Sequence, residues 1–113
     1  MGKLTLPALL LGSSLLTTSA LADDLKLVMG TLTFHPWNEG EGGNARQLVS
    51  VKNDTKSLIK WIRIECGFLQ ENKLVGVGHD LIKNLLIGET GYLVIQGSAA
   101  TAPDRADCRI VPE

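Results

Sequence analysis

The chain has 113 residues with 11 basic and 12 acidic side chains, a formal net charge of −1, 44% hydrophobic residues and two cysteines. That near-neutral balance excludes a partnership built on charge alone, since nucleic acid and anionic membrane both select for basic patches. The length suits one domain with a thin core, in the size range where a covalent staple matters.

The first 22 residues read as an export signal. One cation, Lys3, precedes an apolar stretch from Leu4 to Leu16, and Ala20-Leu21-Ala22 supplies a small-x-small cleavage site. Pro7, Gly12, Ser13 and Ser14 interrupt the stretch, which is too short to cross a bilayer of roughly 30 Å as a stable anchor. Cleavage there starts the mature chain at Asp23 and takes Lys3 from the 11 basic residues, leaving 10 against 12 acidic ones, a balance of −2. Residues 23–113 then form a single domain outside the cytoplasm, in a bacterial periplasm or the medium. No cysteine lies beside the cleavage point to carry a lipid, so no stable membrane anchor is expected.

Beyond residue 22 no run shows the 3.6-residue apolar period with caps that a helix needs, whereas several stretches alternate with period two. A first strand is expected over about Lys26 to Phe34, with Leu27, Met29 and Thr31 on one side and Val28, Leu32 and Phe34 on the other or near a bulge at Gly30. His35 to Asn44 is a loop, its proline and glycines excluding regular structure. The second strand covers about Arg46 to Asn53 with Val49 and Val51 inward. Asn53-Asp54-Thr55-Lys56-Ser57 then turns through side chains that bond their own backbone.

The third strand, Ile59 to Gln70, has the clearest pattern. Ile62, Ile64, Cys66 and Phe68 face the core, and Trp61, Arg63, Glu65 and Gly67 face away. After a hairpin at Glu71-Asn72-Lys73, a fourth strand covers Leu74 to Asp80, with Val75, Val77 and His79 on one face. Gly76 and Gly78 occupy the other, which the pattern assigns to the outside, leaving room for another backbone to approach. Leu81 to Gly88 reads equally as a short strand or a crossover, Gly88-Glu89-Thr90-Gly91 as a turn and Tyr92 to Gln96 as a strand. Gly97 to Asp104 is a linker, and Ala106 to Val111 is the last strand, with Cys108 and Ile110 in phase.

Cys66 and Cys108, an even pair in an oxidising compartment, are expected to form one disulfide. Closing a loop of about 43 residues contributes roughly 4 kcal/mol in the chain-entropy model. The bridge ties the final strand to the centre of the fold, joining either two sheets or two neighbouring strands. Six or seven short antiparallel strands at regular spacing give an all-β fold, an immunoglobulin-like β-sandwich.

Three segments also resemble the FxLYD-like family, small bacterial cell-envelope β-sandwich domains. Val51-Lys52-Asn53-Asp54-Thr55 is similar to the family's Val-x-Asn-x-Ser/Thr strand end. Cys66-Gly67-Phe68-Leu69-Gln70 lies where the name motif falls, and Ile82-Lys83-Asn84-Leu85-Leu86-Ile87-Gly88-Glu89 is similar to its Asn-Leu-x-x-Gly-Glu turn. The resemblance spans about Gln47 to Val111. It implies a fold and no catalytic residues, and function drawn from fold is analogy.

Few side chains are suited to chemistry. Cys66 with His79 is the one attractive thiol–imidazole couple, and a disulfide removes the thiol it needs. Zinc held by Cys66, Cys108, His35 and His79 lacks the short paired spacings that let one turn present two ligands. Calcium has only Asn38, Glu39, Glu41 and Asn44, whose spacing departs from the 12-residue calcium loop. No Gly-x-Ser-x-Gly, phosphate-loop or dinucleotide motif occurs. The sequence therefore points to a non-enzyme without cofactor.

What remains is surface. Tryptophan and arginine are enriched at binding hot spots, and Trp61, Arg63 and Trp37 form the candidate interaction patch. The expected function is a non-catalytic exported module that binds a protein or another envelope component. The alternatives are a structural or accessory subunit assembling through exposed strand edges and, last, a thiol enzyme or metal-binding protein.

Overall fold

Strict alternation across residues 62–68 organises the molecule. The computed structural model describes residues 24–38 and 40–111, so the export-signal reading of residues 1–22 lies outside the described residues. The strand that shows this alternation, β3 (Ile59–Gln70), has the bounds expected from sequence, and it buries Ile62, Ile64, Cys66 and Phe68. Glu71 and Asn72, at φ 49° and 68°, form a two-residue turn. This left-handed pair matches the twist of the strands it joins. The chain returns as β4 (Lys73–Leu85).

The remaining strands are β1 (Leu25–Pro36), β2 (Gly43–Asn53), β5 (Thr90–Ala99) and β6 (Arg105–Val111), and no helix occurs among the described residues. All pairings are antiparallel, in one sheet of order β1-β2-β5-β4-β3-β6. The sheet curls until its two outer strands meet, so β1-β2-β5 and β4-β3-β6 lie as two leaves over a common core. Val51 and Ile95 supply that core from one leaf, Ile64, Phe68 and Leu85 from the other. The fold is thus all-β with six strands and one disulfide, as the alternation required.

The register between β3 and β4 corrects one expectation. Gly76 lies opposite Phe68 and Gly78 opposite Cys66. Directly paired residues share a face, so both glycines point into the core, and Val77 and His79 point out. A bulge at Val75, between the Phe68 and Leu69 pairings, sets this phase. The close approach expected of these glycines does occur, but on the inside. A Cβ on Gly76 would overlap the Ser98 carbonyl oxygen, one on Gly78 that of Gln96, and one on Gly97 that of Val77. Three missing side chains let β5 cross against β4 and turn the sheet's corner.

A second bulge, between Met29 and Leu32 of β1, restores Leu32 and Phe34 to the side already occupied by Leu27. It leaves the Gly30 carbonyl without a ladder partner. Gln47, buried in β2, fills that gap by donating from Nε2 to Gly30 O at 2.9 Å and to Leu48 O at 2.8 Å. A buried amide paired this way avoids the desolvation cost of a lone one.

Candidate binding surfaces

The two cysteines face each other across neighbouring strands. Cys66 of β3 pairs in register with Cys108 of β6, and their sulfurs are bonded. The staple therefore holds an outer strand to its neighbour within one leaf. It also takes both sulfurs out of nucleophilic or metal chemistry. The residue opposite Cys66 on β4 is Gly78, whereas His79 lies opposite Glu65 on the outer face. Cys66 and His79 thus belong to opposite sides of the sheet, and His35, paired with Asn44 at the far end of β1, joins neither.

On the outer face of β4-β3-β6 the β3 row runs Trp61, Arg63, Glu65, Gly67. Trp61 and Arg63 are therefore neighbours on one surface, as expected, and Trp61 is 39% exposed. Gly67 has no side chain to stand between Val77 of β4 and Asp107 of β6, its partners in register. The result is an open depression of about 450 Å³ bordered by Arg63, Glu65, Val77, His79, Asp107 and Arg109. Glu65 serves two cations: Arg109 Nη2 donates to its Oε1 at 3.2 Å, and Arg63 Nε lies 3.2 Å from its Oε2. That second contact is close enough for ion pairing but not aligned as a hydrogen bond, so the Nε–H is left without an acceptor. Asp107 is held instead by Arg105, whose other nitrogen donates to Asn72 Oδ1 at 2.8 Å.

Trp37 is not part of this surface. It follows β1, where its N–H donates to Gly42 O at 3.1 Å and its ring lies against Gly42. Pro36 pairs with Gly43, Gly43 with Ala99 and Ala99 with Gly76, which faces Phe68. Trp37 therefore sits level with the end of β3, and Trp61 lies near its start, roughly 20 Å away at about 3.3 Å per residue. In the acidic loop beside it Asn44 Nδ2 donates to Gln96 Oε1 at 3.2 Å, and Glu39 lies outside the described residues. Among the described residues no three His, Cys, Asp or Glu side chains converge on one point.

The outer face of the other leaf went unrecognised in the sequence. Val28, Ser50 and Tyr92 form one row across β1, β2 and β5, with Leu48 and Val94 in the next. Tyr92 is 79% exposed, Val28 59% and Leu48 49%. Small residues between them, Gly30 and Ser50, leave a shallow hollow of about 130 Å³ with almost wholly apolar walls. The available signal was the phase of β2: with Val49 and Val51 inward, Leu48 has to face out.

One more site joins distant segments. Asn53, fully buried, donates from Nδ2 to Ser57 O and Leu85 O, both at 3.0 Å, while its Oδ1 accepts from Thr55 N at 2.9 Å. Its backbone bonds Glu89 O and Gly88 N. Leu86 to Glu89 is a turn closed by Glu89 N to Leu86 O at 3.0 Å, with Gly88 at φ 79° as its second central residue requires. Every polar atom of the Asn53 amide is thus used to tie the loop through Thr55 and Ser57 to the end of β4.

No protein-family model, no curated protein and no solved structure matches this chain.

Proposed function

We propose that the protein is a non-catalytic exported module that binds a protein or another component of a bacterial cell envelope through the outer face of β4-β3-β6. The depression over Gly67 carries this reading. It is bordered by side chains of both signs and lies in the same β3 row as Trp61. A partner carboxylate or carbonyl entering there would meet the part-exposed Arg63 and the exposed Arg109 side chains while an adjacent apolar group covers Trp61 and Val77. Tryptophan and arginine set side by side are the residue types most enriched where interfaces gain their energy.

Two further features support the wider reading. A disulfide in a small domain suits an oxidising compartment, periplasm or medium. The meeting of residues 51–55 with residues 84–89 at Asn53 gives a physical reason for the two turn segments that resemble the FxLYD-like domains. Assembly through strand edges is the second reading, favoured by β1 and β6 each pairing on one side only. It ranks lower because a bulge and Pro36 interrupt β1, and short β6 alternates Arg105, Asp107 and Arg109, devices that blunt edge pairing.

A photoreactive residue placed at Val77 or at Asp107 in the exporting cell tests the proposal. The expected result is an adduct of defined mass that falls at least about 5-fold when Trp61→Ala and Arg63→Ala are combined. No adduct from either position, or one indifferent to the double substitution, defeats it.

A further inference from the structure

The second outer face, on β1-β2-β5, carries an inference that does not rest on the reading above. Along β2 its outward side chains run Arg46, Leu48, Ser50, Lys52 and, just past the strand, Asp54. A cation thus stands at one end and a carboxylate at the other, about 26 Å apart at the usual strand rise. Between them lies the apolar group of Val28, Leu48, Val94 and Tyr92. Among the described residues Arg46 makes no ion pair, and Asp54 has only a long contact of 3.6 Å to Lys52.

We propose that this face docks a second copy of the same chain, with the two β2 strands antiparallel about a twofold axis at Ser50. Rotation about that axis exchanges the two ends of the row. Arg46 of each copy meets Asp54 of the other, Leu48 lies along the alkyl stem of Lys52, and Tyr92 stacks on Tyr92. Lys52 of one copy stays roughly 13 Å from Lys52 of the other, beyond the screening length at physiological salt. The alternative twofold, with the strands parallel, sets Arg46 on Arg46 and Asp54 on Asp54. Like charges so placed are repulsive, so the charge order along β2 selects the antiparallel arrangement. Self-complementarity of one patch is what a twofold interface demands. A different partner would have no need for opposite charges placed symmetrically about the apolar centre. An anionic membrane would draw on a cluster of about 4–8 cations; this face has Lys26 beside Lys52 and the distant Arg46, with Asp54 among them.

Three strands span a small area, below roughly 1,200 Å² for the pair, which puts the dimer in the weak class. Sedimentation equilibrium of the mature protein from about 5 to about 500 μM is the test, with the loss expected for a small hot-spot interface. A concentration-dependent dimer is expected, and Tyr92→Ser abolishes it. Arg46→Glu or Asp54→Arg alone weakens it about 10-fold, and the two together restore it to within about 3-fold. Tyr92 is so exposed that its replacement leaves folding intact, which circular dichroism verifies. A monomer throughout the range overturns the proposal, as does self-association that survives Tyr92→Ser, the mark of edge pairing. A double charge reversal weaker than either single one overturns it too. Binding of the monomer to anionic vesicles through this face likewise counts against it.

Discussion

The two outer faces of the curled sheet solve opposite problems with the same strand geometry. On β4-β3-β6 the outward residues are charged and mutually engaged around Glu65, and the missing side chain of Gly67 opens a depression. On β1-β2-β5 the charges are pushed to the ends of the row, and an aromatic and aliphatic group occupies the middle. The first surface suits a polar contact made and broken in water. The second is a cost to an isolated molecule until something covers it. One sheet can hold such different faces because alternation in a strand fixes which residues face out and imposes nothing on their chemistry.

The comparison breaks most completely when the leaves themselves are disturbed. Replacing Cys66 and Cys108 by alanine removes the staple on the charged leaf, and a loss of roughly 4 kcal/mol is expected from the loop it closes. Urea denaturation measures it. Hydrogen exchange is expected to show β6 deprotected first while β1 and β2 keep their protection. Gly97→Val acts on the corner that both leaves share. Its side chain would meet Val77 backbone, which has nowhere to yield, and overpacking of this kind costs about 3 kcal/mol. Here exchange is expected to rise in both leaves together, in contrast to the cysteine variant. At the small end, Gly67→Ala adds a methyl group that meets only the tip of Leu74 at 3.0 Å. Stability is expected to rise by about 0.5 kcal/mol through the lower entropy of the unfolded chain. Adduct formation at Val77 falls as the depression shrinks, while self-association through Tyr92 is unchanged, which separates the two faces experimentally.

Where one strand's pattern was self-sufficient, the sequence could be read closely. β3 shows strict alternation with bulky inward residues, and its limits agree with the structure. β4 was half legible because Val77 faces out, while Val75 meets the core only through the bulge it occupies. Only the register with Phe68 and Cys66 shows that the glycines face in, and register is a property of two strands. Residues 81–85 were ambiguous for a related reason: Asn84 takes φ 57°, so the buried Leu85 falls out of step with Ile82. Of the candidate patch, Trp61 and Arg63 were legible because they share a face by parity. Trp37 was not, since its level along the sheet depends on a chain of pairings through β2, β5 and β4. The apolar outer face escaped because inward and outward apolar residues look alike until each strand's phase is known.

Finally, the strand that completes the charged leaf comes long after the strand it completes. The staple joins positions 42 apart, and β6 covers the flank of β3 opposite β4. Until β6 pairs, β3 therefore holds its apolar row with the flank opposite β4 bare. Truncation before Cys108 then leaves β3, the strand with the most apolar row, as an unpaired edge rather than giving a shorter version of the domain.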